Sequence, residues 1–311
     1  MKRLLTYISL LFFSSYGFSQ QDPQYTQYMY NMSIVNPAYA TSNDQILNAG
    51  TLYRTQWVGA VGAPKTFTFF AHMPVSPKVQ LGFSLISDDI GDGAKKENNF
   101  YGDFAYLLQF KNNHQLSLGL KAGFTSLESN FNGFRFETGD VSTDLAFNDN
   151  ISIFKPNVGA GAYYSTNEYY VGVSVPNLLA SKHIEERSGI SAFGSEYSHF
   201  FVTGGYVFTH NENFKLKPAF MSKFVQGAPP VFDVSANVLF ANKFEVGAAY
   251  RFKDAVSGLV NMNVTRNIKV GYAYDYTLSN LGQFNSGTHE IFILFDLYLI
   301  GKSHDLSPRF F

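Results

Sequence analysis

The sequence contains no cysteine, so neither a disulfide framework nor a lipid-modified N-terminal cysteine can form. Charged residues are scarce at 15% and the formal net charge is −1, which argues against a nucleic-acid partner, because nucleic-acid-binding domains usually carry a basic stripe. Beyond the N-terminus no run approaches 18 consecutive apolar residues, so a helical membrane protein is not expected. Aromatic residues, in contrast, are abundant at 17%, as in membrane β-barrels whose rims carry aromatic girdles.

The first residues have the pattern of a secretory signal peptide. The basic pair Lys2-Arg3 precedes an apolar core over residues 4–13, and small residues follow at the −3 and −1 positions of a cleavage site. Because the apolar core is too short to span a bilayer, it indicates export rather than anchoring. We therefore expect a signal peptide over residues 1–19.

From residue 46 onward the chain repeats one unit, a segment of alternating character followed by a turn. In residues 114–125, for example, every second residue is apolar and the residues between them are mostly small or polar. Successive side chains of a strand point to opposite faces, so each segment has one apolar and one polar or small face. A soluble β-sandwich also alternates, but its outward face should carry charged and small polar residues rather than Leu, Val, Phe and Tyr. The recurring pattern therefore predicts a transmembrane β-barrel.

We predict fourteen strands, an even number, as in bacterial single-chain barrels. The predicted strands cover residues 46–56, 63–75, 78–88, 97–110, 114–125, 154–166, 168–177, 196–209, 213–224, 230–240, 242–252, 255–265, 267–278 and 287–299. Short polar turns alternate with longer links, which favours periplasmic turns and outer loops. The predicted architecture is all-β, an antiparallel transmembrane barrel over 46–299. Residues 20–45 would form an N-terminal periplasmic or plug segment, and residues 300–311 a C-terminal periplasmic tail.

Many glycines fall on the predicted inner face of the barrel. In the predicted register these are Gly50, Gly82, Gly119, Gly123, Gly159, Gly161, Gly172, Gly205, Gly247 and Gly271. Glycine inside a strand often marks the close approach of another backbone or a bend in the sheet. Two interpretations remain open: either a peptide segment, of which residues 20–45 are the candidate, fills the lumen, or the glycines relieve crowding as the strands coil.

No motif indicates catalysis, a cofactor or a metal. The His residues are scattered, and neither a nucleophile elbow nor a phosphate-binding loop is present. Asp88, Asp89 and Asp92 could bind calcium, but they lack an EF-hand pattern, so a solvated acidic loop is the preferred interpretation. Five charged residues fall on the predicted inner face, where they would pair with each other, contact water or line a transport path: Lys121, Glu245, Arg251, Lys269 and Asp275.

The segment after the signal peptide reads QDPQYTQYMYN over residues 21–31 and NPAYA over 36–40. It closely resembles the N-terminal signature of the PorP/SprF family of type IX secretion membrane proteins, found in Bacteroidetes. Further matches follow in order at residues 53–59, 62–66, 163–177, 271–276, 287–291 and 307–311. The resemblance therefore covers the whole mature chain.

The resemblance implies an outer-membrane barrel of the type IX export and gliding apparatus. Members either belong to the secretion machine, linked to its periplasmic ring, or serve one large surface adhesin by helping to export it or by holding its C-terminal domain. The sequence motifs do not separate these roles.

Two sets of aromatic and polar residues are candidates for binding. Aromatics of the outer loops would suit a protein interface, although loop 126–153 could instead fold inward as a constriction; they are Trp57, Phe131, Phe134, Phe136 and Phe147. The candidate plug carries Tyr25, Tyr28, Tyr30, Asn36, Pro37 and Tyr39.

The leading hypothesis is a non-enzymatic outer-membrane protein, without cofactor, that binds a secreted surface adhesin. Its expected partners are the adhesin or its C-terminal domain, other type IX secretion components and outer-membrane lipid, but no nucleic acid. The second hypothesis is a passive channel for small solutes, because a fourteen-stranded barrel is wide enough to hold a plug or a narrow path.

Overall fold

The dominant element is one antiparallel sheet that closes on itself. The computed structural model describes residues 23–39, 46–130, 135–136, 139–140, 151–179, 182–187, 190–195 and 198–298. The first and last strands of the sheet pair with each other, from Ile46 opposite Tyr298 to Thr55 opposite His289. The closed barrel has fourteen strands, and the predicted fold is confirmed.

Strands that follow each other along the chain are neighbours in the barrel. They are β1 Ile46–Thr55, β2 Lys65–Ser76, β3 Val79–Ile90, β4 Lys95–Gln109, β5 Gln115–Ser129, β6 Ile151–Ser165, β7 Tyr169–Val175, β8 His199–Tyr206 with its continuation Phe208–Asn211, β9 Phe214–Val225, β10 Val231–Phe240, β11 Phe244–Arg251, β12 Ala255–Asn263, β13 Ile268–Thr277 and β14 Thr288–Tyr298. This up-and-down order leaves no sheet edge along most of the barrel wall, as a membrane requires.

The two ends of the barrel differ. Tight turns join the strands at one end, where Asn112, Asn113, Ala241 and Asn242 adopt left-handed backbone angles typical of short hairpins. Both Ile46 and Tyr298 lie at this short-turn end. The links at the opposite, long-loop end are mostly longer, and two of them contain small separate hairpins, Arg135–Phe136 with Gly139–Asp140 and Lys182–Arg187 with Ile190–Ser195.

The inner and outer faces alternate along each strand as expected. On β13, for example, Tyr272 and Tyr276 are exposed on the outside, whereas Gly271 and Asp275 are buried on the inside. Near the short-turn end, rings of neighbouring strands meet on the outer face, including Phe214 of β9 with Phe240 of β10, whose centroids are 5.4 Å apart. Such rings form the interfacial girdle of membrane barrels.

Helices play little part in this fold. The N-terminal segment contains a 3-10 turn, Tyr28–Tyr30, followed by a one-turn α-helix, Met32–Val35. Within the described ranges of the chain, no helix has the length and apolar character needed to cross a membrane.

Candidate functional site: the plugged lumen and its cavity

Residues 23–39 lie against the inner face of the barrel and are called the plug here. Every residue from Tyr25 to Tyr39 is buried, including polar ones such as Gln27 and Asn31. A segment that forms no strand can be buried along its whole length only when other residues surround it on all sides. The inward side chains of the strands surround the plug.

Aromatic and aliphatic side chains hold the plug. Its apolar residues form one buried cluster with residues of the inner face, among them Leu52, Tyr163 and Phe292. The rings of Tyr30 and Phe292 are 4.8 Å apart, and those of Tyr39 and Tyr163 meet edge to face at 5.4 Å. Because each fully buried large side chain contributes about 1.5 to 3 kcal/mol, burial is a major contribution to holding the plug in the lumen.

A buried ionic anchor fixes the start of the plug. The Arg54 guanidinium pairs with Asp275 and with Glu290, each at 2.9 Å. The Glu290 carboxylate also accepts the backbone N–H groups of Thr26 and Gln27, at 3.0 and 2.7 Å, and the Thr26 hydroxyl donates to Asp275 at 2.7 Å. Three barrel side chains and two plug residues therefore form one network, called the anchor here.

A second polar contact lies deeper in the lumen, around Tyr30. Its hydroxyl donates to the Glu245 carboxylate, which is also paired with the Lys269 ammonium at 2.8 Å. Burial, reinforced by the Glu245 charge, raises the pKa of the Tyr30 phenol well above its ordinary value. The phenol therefore keeps its proton and remains a donor.

The last part of the plug approaches the barrel backbone closely. Asn36 donates from Nδ2 to the carbonyl of Ala162 at 3.1 Å. A Cβ added to Gly119 would overlap the backbone of Pro37 and Ala38, and one added to Gly161 would overlap the Asn36 side chain. These two strand glycines make room for the plug.

Other inward glycines are filled by side chains of the barrel itself. Gly50 lies against Phe70 and Leu294, and Gly271 lies against Phe292. Both interpretations of the glycine pattern therefore apply, each at different positions along the strands.

The remaining plug residues named from the sequence are also inside the barrel. The Tyr25 hydroxyl and the Thr68 hydroxyl of β2 are 3.0 Å apart. Tyr28 is buried beside the plug's Ile34 and Val35, and together they face open space towards the long-loop end.

The five inward charged residues named from the sequence all face the lumen and all form ion pairs: Lys121 with Asp103, Arg251 with Asp233, Lys269 with Glu245, and Asp275 with Arg54. Lys121 also donates to the carbonyl of Ser33 in the plug at 3.3 Å. The sequence prediction missed Arg54 and Glu290, the centre of the anchor. Both stand at inward positions within motifs shared with the family. Combining the predicted strand register with these motifs would have identified them.

The outer-loop aromatics named from the sequence are only partly described. Trp57 follows β1, is half-buried, and donates its backbone N–H to the Thr288 hydroxyl at 3.0 Å. Phe131, Phe134 and Phe147 lie outside the described residues, as does most of loop 126–153. Phe136 is described only as backbone. The binding role of these residues stays a prediction.

The three aspartates near the β3–β4 turn do not converge. Asp88 accepts a hydrogen bond from the Thr66 hydroxyl, Asp89 accepts the N–H of Gly93, and Asp92 pairs with Lys65. Across the part of the chain that the structure describes, no group of three metal-ligating side chains occurs.

A cavity that opens to solvent lies between the plug and the long-loop end. Its floor is formed by plug residues, and its walls combine amides, apolar groups and two charges of each sign. The lining includes Tyr25, Tyr28, Ile34, Val35, Asn99, Asn157, Asn177, Phe201, Met221, Lys155, Lys223, Glu97 and Asp233. The cavity is therefore amphipathic and shows no excess of either charge.

A closed barrel with an apolar outer face and a charged, plugged interior has the architecture of outer-membrane β-barrels. The chain is similar in fold to a Pseudomonas aeruginosa FadL homologue, with a TM-score of 0.51 and 10% identity over 90% of this chain and 95% of that one. It is likewise similar to the P. putida toluene transporter TodX, with a TM-score of 0.51 and 11% identity over 88% and 95%. At such identities the likeness shows the fold alone.

The sequence itself identifies the family. The profile of the type IX secretion system membrane protein PorP/SprF matches residues 17–295. The chain belongs to this family. None of the curated proteins matches it.

Proposed function

We propose that this protein is a non-enzymatic outer-membrane component of type IX secretion that binds a secreted surface adhesin. The adhesin's C-terminal domain is the part bound, and binding helps to export the adhesin or to anchor it at the surface. Membership of the PorP/SprF family is the observation that carries this proposal. The plug supports it, because a filled lumen suits a binding protein better than an open pore.

The orientation of the barrel in the outer membrane can be assigned from the difference between its two ends. Bacterial barrels place short turns in the periplasm and long loops outside the cell. We therefore assign the short-turn end, with Ile46 and Tyr298, to the periplasm, after removal of a signal peptide over residues 1–19. The long-loop end then faces the medium, where a secreted protein would be met.

An apolar surface at the long-loop end supports partner binding. The link after β1 and the link before β14 are joined by two backbone hydrogen bonds between Val58 and the segment Ser286–Gly287, of 2.7 and 2.8 Å. Each link exposes apolar side chains: Val61 is 100% exposed and Phe284 is 71% exposed. Exposed apolar side chains on two joined links are typical of interaction surfaces. Trp57 precedes Val58 in the first of these links.

The test is a gentle detergent pull-down of the tagged full-length protein from its own outer membrane, with mass spectrometry of the bound proteins. A large secreted protein recovered through its C-terminal region is the expected result. The double variant V61S/F284S should lower that recovery, whereas L81S, on the lipid-facing side of β3, serves as the matched control. Recovery of periplasmic ring components instead would make the protein a core subunit of the machine.

A solute channel is the second candidate. The amphipathic cavity above the plug favours it. Reconstituted protein should then transport small apolar solutes into vesicles. Absence of transport, together with an adhesin in the pull-down, would exclude this candidate.

A further inference from the structure

Strand β6 is much longer than the strand that follows it. β6 has 15 residues, whereas β7 has 7, and their paired residues end at Ala160 opposite Val175. One more backbone bond joins the Leu178 N–H to the Val158 carbonyl at 2.7 Å. Above this level, residues 151–157 pair with β5 on one side, and the described residues supply no strand on the other. This upper part of β6 is called the open edge here.

The sequence explains why pairing stops at this level. Backbone groups of alternate residues point to the same side of an antiparallel strand, so those of Pro156 and Phe154 point the same way as the Val158 carbonyl. Proline has no N–H, and it is therefore typical of strand edges that end a ladder. Beyond Pro156, the N–H and carbonyl of Phe154 face the open edge.

The open edge borders the cavity above the plug. Lys155 and Asn157 lie on the inner face of the same stretch of β6 and line the cavity. Asn157 is 8% exposed, and its Nδ2 donates to the Tyr101 hydroxyl at 3.2 Å. Its Oδ1 accepts no hydrogen bond from any residue that the structure describes. A buried amide oxygen is normally satisfied by a donor, which is either ordered water or an N–H group.

We propose that the open edge and the cavity together bind an extended segment of the secreted partner as an added strand. The segment's backbone pairs with β6 at Phe154, and an N–H group of the segment reaches the Asn157 oxygen. Side chains on its inner face enter the cavity over Ile34 and Val35 of the plug. This inference rests on the proposed function and adds the place and the form of the bound segment.

The chemistry of the site favours a polypeptide over a lipid or an apolar solute. Backbone groups at strand spacing that no described residue pairs with are satisfied by another backbone, as in other cases of strand addition, whereas a hydrocarbon would leave them unpaired. The length of the open edge, 7 residues, corresponds to about 23 Å at roughly 3.3 Å per residue. Because the cavity carries two charges of each sign, a segment with alternating apolar and polar residues and little net charge fits it best.

The experiment compares two substitutions at one position in the full-length protein in its own outer membrane. Phe154→Ala removes the exposed ring and keeps the N–H, whereas Phe154→Pro also removes the N–H at the open edge. We expect Phe154→Pro to lower recovery of the secreted partner by roughly tenfold, the effect of about one lost hydrogen bond, and Phe154→Ala to change it little. Equal losses in both variants, or no loss in either, would overturn strand addition. Heat-modifiable migration in gels checks that each barrel is folded.

A photo-crosslinker provides an independent readout. Placed at Leu179, which lines the cavity, it should capture one extended segment of the same secreted protein, identified by peptide sequencing. Placed at Leu81 on the outer face, it should capture lipid only. Lipid or nothing at Leu179, in a preparation whose pull-down still contains the adhesin, refutes this inference and leaves the proposed function standing. A wild-type pull-down without adhesin would instead refute the proposed function.

Discussion

Replacing Arg54 with methionine should release the plug without unfolding the barrel. The substitution leaves Asp275 and Glu290 buried and without the guanidinium that each pairs with at 2.9 Å. Breaking a buried pair by removing one partner costs about 3 to 5 kcal/mol. The protein can relieve this cost by letting the plug leave, because water then reaches both carboxylates. The population with the plug displaced should rise by roughly 10² to 4 × 10³-fold.

The absence of cysteine makes this population measurable. A single cysteine at Ser33, which is 1% exposed in the plug, reports plug release through its rate of labelling by a maleimide in outer-membrane vesicles. We expect Ser33→Cys alone to label slowly and Ser33→Cys with Arg54→Met to label about two orders of magnitude faster, following the displaced population.

Two controls separate the anchor from a general loss of stability. Lys65→Met breaks an exposed ion pair with Asp92, worth about 0 to 1 kcal/mol, and should leave the labelling rate unchanged. Adding Asp275→Asn and Glu290→Gln to Arg54→Met removes the uncompensated charges and should slow labelling again. An unchanged rate for Arg54→Met, in a barrel that still shows heat-modifiable migration, would refute the role assigned to the anchor.

Three further outcomes follow from the same contacts. Gly119→Val should displace the end of the plug and speed labelling at position 33, because its side chain would overlap the Ala38 backbone, whereas Gly258→Val, which faces open space, should not. Tyr30→Phe removes the donor to buried Glu245 and should weaken plug retention by about 1 to 3 kcal/mol, measured by the same labelling. The wild-type protein should give little conductance in planar bilayers, and Arg54→Met should raise it; a high wild-type conductance would contradict a sealing plug.

The barrel could be predicted because lipid and lumen act on opposite faces of every strand. The predicted ends of the strands were less accurate, because lipid no longer constrains the outer face beyond the membrane. β5 was expected to end at residue 125 but continues to Ser129, since Ser126–Ser129 still pair with β4. β7 was expected to reach residue 177 but ends at Val175, because Pro176 follows it.

The sequence predicts which side chains face the lumen, but not which of them pair with each other. Alternation identifies Asp275 and Lys269 as inward, yet Arg54 and Glu290, which meet in the anchor, are 236 positions apart in sequence. Only closure of the barrel brings them together. Inward apolar residues such as Leu52 and Phe292 run against the expectation of a polar interior, because they face a plug rather than water.

The anchor also lies across the junction where the barrel closes. Arg54 of β1 stands directly opposite Glu290 of β14 in the pairing of the first and last strands. The plug binds to a carboxylate that reaches its place only when the last strand of the chain has joined the first. A chain that is still open at this junction lacks the complete anchor that binds residues 26–27. We therefore expect full retention of the plug to require closure of the barrel, and an unfinished barrel should be distinguishable by its unsealed interior.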